Sequence, residues 1–247
     1  MILAEGIRWS SCMDNSSLKL NEILTLAKEA HAQNLRTLAV FDLDSTLFNV
    51  STRTQKILQE FAELHQLENL KNVEVLLTDW GIKEAVIRQG YTIESHGELL
   101  NELRDFWFER FFSNAYLHYD VPYAGAIEYV LELIEAGVDI MYLTGRDQMR
   151  MGVGTKQVLM KWGFPVDDHK LFLKPNRTLD DELYKKEWFE KLDRSQYNRV
   201  YFFENEPVNV NAILAHCPDV EVVFIDTTHA RKQTVTAPIV TIKNFKR

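Results

Sequence analysis

Two aspartates one residue apart, Asp42 and Asp44, followed by Thr46, close the apolar run Thr37-Leu38-Ala39-Val40-Phe41. The run reads as a buried strand. In an open α/β sheet, the residues after such a strand sit at the edge where ligands bind. There one carboxylate can act as a nucleophile and its neighbour as an acid or base. Together they also offer hard oxygens to a cation such as Mg²⁺. The competing reading is turn chemistry, because Asp and Ser after a strand also cap the following helix.

Polar residues recur at other strand ends. Residues 138–143 read as a strand ending in Thr144-Gly145-Arg146-Asp147, and residues 199–203 as one ending in Glu204-Asn205. Pro207 then opens a helix as a first-turn residue, so Glu204 and Asn205 also fit the role of helix N-caps. Thr178-x-x-Asp181 resembles a capping box for a helix that carries Lys185 and Lys186. Helical spacing puts Lys185 on one face with Trp188 and Leu192, which favours it over Lys186; Lys174, in Leu173-Lys174-Pro175, is a rival.

The elements that must position these groups alternate. Helices are expected over residues 16–31, 126–136 (closed by Gly137), 155–162 (closed by Gly163), 181–192 and 207–216, and strands at 171–173 and 220–225. Strand–helix alternation of this kind implies a doubly wound parallel sheet. Residues 49–118 break the rhythm. Ile57, Leu58, Phe61 and Leu64, then Ile82, Ala85 and Val86, then Leu99, Leu103, Phe106 and Phe111 mark three helices, with 73–77 ambiguous. This predicts an all-helical insert, a small domain or lid. The tail carries Arg231, Lys232, Lys243, Lys246 and Arg247, read as a solvated surface or a last edge strand.

The net charge of −8 leaves no basic excess to neutralise a phosphate backbone, which argues against a nucleic-acid binder. Cys12 and Cys217 make no disulfide framework. Residues 1–12 lack the regions of a signal peptide, and no apolar run is long enough to span a bilayer. The expectation is a cytoplasmic protein with no membrane partner.

On these residues the chain resembles the haloacid dehalogenase (HAD) superfamily of phosphatases and phosphotransferases. Phe41-Asp42-Leu43-Asp44-Ser45-Thr46 resembles its first motif and Leu143-Thr144-Gly145-Arg146 its second. Tyr184-Lys185 resembles the third, and Phe203-Glu204-Asn205-Glu206-Pro207 the fourth. Pro122-Tyr123-Ala124-Gly125-Ala126 is similar to the loop that leads into the second motif's helix and strand. The resemblance implies a Rossmann-like α/β core at 1–48 and 119–247, with a helical cap inserted at 49–118.

It further implies a Mg²⁺-dependent phosphomonoester hydrolase for small phosphorylated metabolites. Asp42 would form an aspartyl-phosphate and Asp44 would serve as general acid and base. Asp42, the Asp44 carbonyl and Glu204 or Asn205 would hold the metal. Thr144, Gly145 and Lys185 would hold the phosphoryl oxygens, with Arg146 beside them. Arg53, just past the first motif, is either a hand for a second anionic group or a solvated side chain. The fourth motif departs from the family's usual aspartates: Glu204 is a methylene longer and Asn205 is neutral. Two alternatives keep the same site, a phosphotransferase and a catalytically weak relative that binds a phosphorylated ligand.

Overall fold

The computed structural model describes residues 15–247. The N-terminal stretch read against a signal peptide, including Cys12, lies outside the described residues. Eight strands are present among them: β1 Thr37–Phe41, β2 Phe48–Asn49, β3 Val121–Pro122, β4 Val138–Asp147, β5 Leu171–Lys174, β6 Arg199–Glu204, β7 Val220–Ile225 and β8 Val240–Ile242. Six form a sheet in the order β5-β4-β1-β6-β7-β8. Every neighbouring pair is parallel. The basic tail therefore includes an edge strand, β8, alongside β7.

β1 is buried along its whole length, because both faces of the sheet are covered. Ala39 and Phe41 enter one apolar cluster with α1 (Asn15–Ala32), α6 (Ala126–Glu135) and α7 (Gln148–Trp162). Leu38 and Val40 point the other way, into a cluster with α8 (Asp181–Lys191) and α9 (Pro207–His216). The continuous apolar run in sequence reflects this burial on two sides.

α7 starts seven residues before the expected position 155. Asp147 caps it, accepting a bond from the Arg150 N–H at 2.9 Å, and the helix runs through Gly152 and Gly154. Glycine normally weakens a helix interior. Here a Cβ at Gly154 would stand 2.7 Å from the Asn114 carbonyl, so the residue is dictated by close packing against the chain that returns from the insert.

β2 and β3 form a two-residue antiparallel ladder, Phe48 opposite Pro122 and Asn49 opposite Val121. Between them lie α2 (Ser51–Leu64), α3 (Glu68–Lys71), α4 (Lys83–Arg88) and α5 (Ile93–Phe111). These helices share their own apolar cluster, including Leu58, Phe61, Leu70, Val86 and Leu103. The ambiguous stretch 73–77 is irregular chain whose alternate residues Val73 and Val75 fill that cluster. Its period of two reflects one-sided burial without a partner strand. Among the described residues no helix is long and apolar enough to cross a membrane.

Candidate active site

The central position of β1, between β4 and β6, puts the C-terminal ends of three strands side by side. Asp42 and Asp44 follow β1, Thr144, Gly145 and Arg146 end β4, and Glu204 and Asn205 end β6. All seven line one cavity of about 870 Å³, with Lys185 reaching in from α8. The helical segment supplies the opposite wall, through Thr54, Trp80, Trp107, Phe111 and Phe112.

The turn after β1 is wound tightly. Ser45 takes a left-handed φ of 59°, which costs an L-residue roughly 1 kcal/mol. Its N–H donates to the Phe48 carbonyl at 2.8 Å, and its own carbonyl accepts from the Thr227 hydroxyl at 2.5 Å. Thr46 Oγ1 donates to Asn205 Oδ1 at 3.1 Å, tying the first strand end to the last.

Lys185 Nζ donates to Asp42 Oδ1 and to Glu204 Oε2, each at 2.6 Å. All three side chains are buried. Burial opposes the lysine's charge, but Asp42 and Glu204 together hold its pKa above the ordinary value. Asp42 behaves differently. Burial pushes its carboxyl up to about 7, Lys185 pulls it back only partly, and the neighbouring Glu204 charge adds to the rise. Of the three lysines weighed from sequence, Lys185 reaches Asp42. Lys174 is tied to Asp181 and the Leu179 carbonyl, and Lys186 does not line the cavity.

Asp44 belongs to a second cluster. Its Oδ1 accepts from Arg53 Nη2 at 2.9 Å and from Arg146 Nε at 3.0 Å, with Arg146 Nη2 also in contact. Asp120 faces the same two guanidiniums. Arg53 Nε reaches its Oδ1 at 2.8 Å, and Arg146 Nη2 its Oδ2 at 2.7 Å. Burial alone would raise Asp44, but Arg146 and Arg53 override it and bring the carboxyl down to about 2. Asp120 is raised, since complete burial outweighs its two arginines.

This placement corrects the reading of Arg53. The side chain is fully buried, neither solvated nor on the cavity wall. Its remaining donor, Nη1, bonds the Phe111 carbonyl at 2.8 Å. Arg146 does border the cavity, but its guanidinium is spent on Asp44, Asp120 and the Thr155 hydroxyl. Asp120, a lone carboxylate in the sequence before β3, was not anticipated. Only closure of the insert brings residue 120 to residue 53, and no local pattern announces it.

Glu204 also differs from expectation. Its Oε1 accepts from the N–H groups of Asn205 and Glu206, both at 2.9 Å, and its Oε2 from Lys185 and from Asn209 Nδ2 at 3.1 Å. One oxygen therefore closes the strand-to-helix turn and the other holds the lysine. Four donors occupy this carboxylate, at the position where the resemblance implied a metal ligand.

Among the described residues no three His, Cys, Asp or Glu side chains gather as a metal cluster. Mg²⁺ asks for less: one or two protein oxygens, with water and substrate phosphate completing its shell. Among the described residues Asp42 Oδ2 takes no hydrogen bond. Asn205 is turned by its Nδ2 bond to the Thr228 carbonyl, at 2.7 Å, so that Oδ1 faces Thr46 with a lone pair to spare. Asp42, the Asp44 carbonyl and Asn205 fit such an ion. Thr144 is buried at the cavity wall, its Oγ1 accepting from the Arg146 N–H at 3.3 Å, so the hydroxyl proton stays free to donate. A Cβ at Gly145 would meet the carboxylate of Asp181, a half-exposed side chain that would have to swing aside.

No protein-family model matches the chain, and no curated protein matches it either. Solved structures do. A predicted phosphatase from Clostridium acetobutylicum aligns over 84% of this chain and 94% of its own at 12% identity, with a TM-score of 0.50. A HAD-superfamily hydrolase from Ehrlichia chaffeensis covers 85% and 93% at 12% identity and TM-score 0.49. A family IA HAD hydrolase from Entamoeba histolytica covers 85% and 93% at 16% identity and TM-score 0.45. The chain shares the fold of the Clostridium acetobutylicum structure, a Rossmann-like parallel sheet flanked by helices. Identities this low speak for fold alone, so the chemistry rests on the site.

Proposed function

We propose that the protein is a Mg²⁺-dependent hydrolase of phosphate monoesters, with Asp42 as nucleophile. The observation that carries this reading is the Asp42–Lys185–Glu204 cluster at the cavity floor, beside the free hydroxyl of Thr144. A bound Mg²⁺, held by Asp42, the Asp44 carbonyl and Asn205, would screen the phosphate's charge and polarise its phosphorus.

An Asp42 oxygen attacks phosphorus, and the bond to the ester oxygen breaks. Lys185 and the Thr144 hydroxyl donate to the phosphoryl oxygens as they gain charge. Lys185 also holds Asp42 in position through Oδ1. The leaving oxygen takes a proton from Asp44. Water then attacks the aspartyl-phosphate, and Asp44 removes its proton. The ionised Asp44 held by Arg53 and Arg146 is ready for this second step. For the first it must leave its arginines and collect a proton. Asp44 keeps about a third of its side chain open to the cavity, which gives it room to turn. The helical segment over the cavity acts as a cap that excludes bulk water and selects a small substrate.

One observation favours a second reading, a phosphate-binding relative without turnover: Lys185 lies between the two carboxylates where a cation would otherwise gather. Phosphate release from p-nitrophenyl phosphate, with Mg²⁺ and with EDTA, separates the two. Hydrolysis predicts Mg²⁺-dependent release that falls at least about a thousandfold in Asp42→Asn. Activity retained in that variant removes Asp42 as the nucleophile, and no release from folded wild type favours the binding reading.

A further inference from the structure

The aromatic residues of α5 divide between two tasks. Phe106 packs against Phe61 at 5.2 Å inside the insert's own cluster, and Phe108 faces outward. Trp107, Phe111 and Phe112 instead turn to the cavity. Their rings are continuous: Trp107 to Phe111 at 4.6 Å and Phe111 to Phe112 at 5.0 Å. Trp107 is fixed by its Nε1 bond to the Thr54 hydroxyl at 3.3 Å. Phe111 carries the Arg53 guanidinium over its face at 4.0 Å. Since Arg53 bonds Asp44, the aromatic wall starts one side chain away from the acidic pair.

Trp80 completes the wall from a separate loop. Its side chain is 52% exposed, it lines the same cavity, and among the described residues no ring stacks on it. A large exposed indole of this kind is usually balanced by mobility, but this loop is tied down. Asp79 is buried, accepts from the Leu76 N–H at 2.8 Å and is gripped by both terminal nitrogens of Arg88. From the α/β core, Arg231 Nη2 donates to the Thr78 carbonyl at 3.2 Å and faces Glu84 at 3.8 Å. The hydrogen bonds to Thr78 and Asp79 just before Trp80, and the Arg231–Glu84 ion pair after it, anchor the loop that carries this unpartnered ring at the cavity.

The phosphoryl end of the site uses only Asp42, Thr144, Gly145 and Lys185. A volume of about 870 Å³ is in the range that buries an entire drug-sized ligand. Part of the remaining space is bordered by these aromatic side chains, with Val75 and Ile82 beside them, and charged residues such as Lys83, Arg104, Arg177 and Asp180 border the rest. The aromatic part of the wall rewards a flat ring through stacking and apolar burial.

We propose that the substrates are monoesters of alcohols carrying a flat aromatic or heteroaromatic ring, which packs against Trp80 and the Trp107–Phe111–Phe112 wall while the phosphoryl group meets Asp42. Trp80 is the specificity-determining residue. The inference rests on the hydrolase reading for its reaction, but its binding part is independent of turnover.

The test uses esters that differ only in the ring. Ethyl phosphate and 2-phenylethyl phosphate both release a primary alkoxide, so leaving-group acidity is matched. With Mg²⁺ and full-length protein, kcat/KM should be about tenfold or more higher for the phenylethyl ester, with the gain mainly in KM. Trp80→Ala should collapse that ratio, and Trp80→Phe should restore most of it. In parallel, calorimetry with 2-phenylethylphosphonate and ethylphosphonate reads binding of probes that cannot be hydrolysed. Turnover of both esters at equal kcat/KM, or a ratio unmoved in Trp80→Ala, overturns the inference while leaving the hydrolase reading intact. No turnover of either ester, with the phenylethylphosphonate bound about tenfold more tightly in wild type than in Trp80→Ala, overturns the hydrolase reading and keeps the ring site.

Discussion

Asp42–Lys185–Glu204 and Asp44–Arg53–Arg146–Asp120 are both buried charge clusters beside one cavity, but they are balanced differently. The first sets two carboxylates against one ammonium, and Asp42 is pushed up to about 7. The second sets two carboxylates against two guanidiniums, and Asp44 is held near 2. Their positions differ too. The first belongs wholly to the α/β sheet and α8. The second straddles the entry and exit of the helical insert, with Arg53 on α2 and Asp120 just before β3. An unbalanced cluster leaves one carboxylate poorly satisfied and therefore reactive. A balanced one gives each carboxylate two guanidinium partners, although burial still raises Asp120, and it serves as a seam with Asp44 lent to the site from its edge.

Breaking the seam should have the largest effect on stability. Asp120→Ala leaves two buried arginines facing the single Asp44. We expect a loss of about 3–5 kcal/mol in urea unfolding. A loss under about 1 kcal/mol would mean that the cluster is hydrated and not a seam.

The unbalanced cluster should respond in the opposite sense. The folded-state value of Asp42, about 7, lies above the ordinary carboxylate value, so folding favours its protonated form. Ionised Asp42 costs stability, and the cost grows as pH rises from about 4 through 7. Asp42→Asn removes that titration. Its Tm should match wild type near pH 4 and exceed it at pH 8, by an amount worth about 1–3 kcal/mol. A lower Tm at pH 8 would show that the Lys185 ion pair outweighs burial.

Within the first cluster, Glu204 and Asn205 can be told apart. Glu204→Gln should reduce turnover by displacing Lys185 and leave the Mg²⁺ midpoint nearly unmoved. Asn205→Ala should raise that midpoint several-fold. Reversal of the two effects would return Glu204 to the metal. The smallest change is expected at the rim. Arg231→Ala loses an exposed contact with Thr78 and Glu84, worth under about 1 kcal/mol, and should leave the urea midpoint almost unchanged.

The difference between the clusters is also a difference in legibility. Asp42, Thr144 and Glu204 each follow an apolar strand run, and parallel strands bring their C-terminal ends to one edge. Lys185 needed one further step, the helical face shared with Trp188. These placements depend on local patterns and on a general rule of sheet topology. Arg53 and Asp120 are 67 residues apart, with no periodicity that relates them. Their pairing depends on how four helices fold back so that β2 meets β3. The aromatic stripe on α5 shows the same boundary, since sequence placed its rings on a helix without dividing them between cluster and cavity.

Sequence alone thus determined the parallel sheet, its polar edge and the residue types available there, because strand burial and helix periodicity are written in short-range pattern. Tertiary structure decided how the charges are shared. It committed Glu204 to Lys185 and two backbone amides, buried Arg53 against Asp120, and aimed Trp80 at the cavity. Those outcomes depend on distances of a few ångströms between segments far apart in the chain. Coulomb and desolvation energies change steeply over such distances, and pattern carries no information about them.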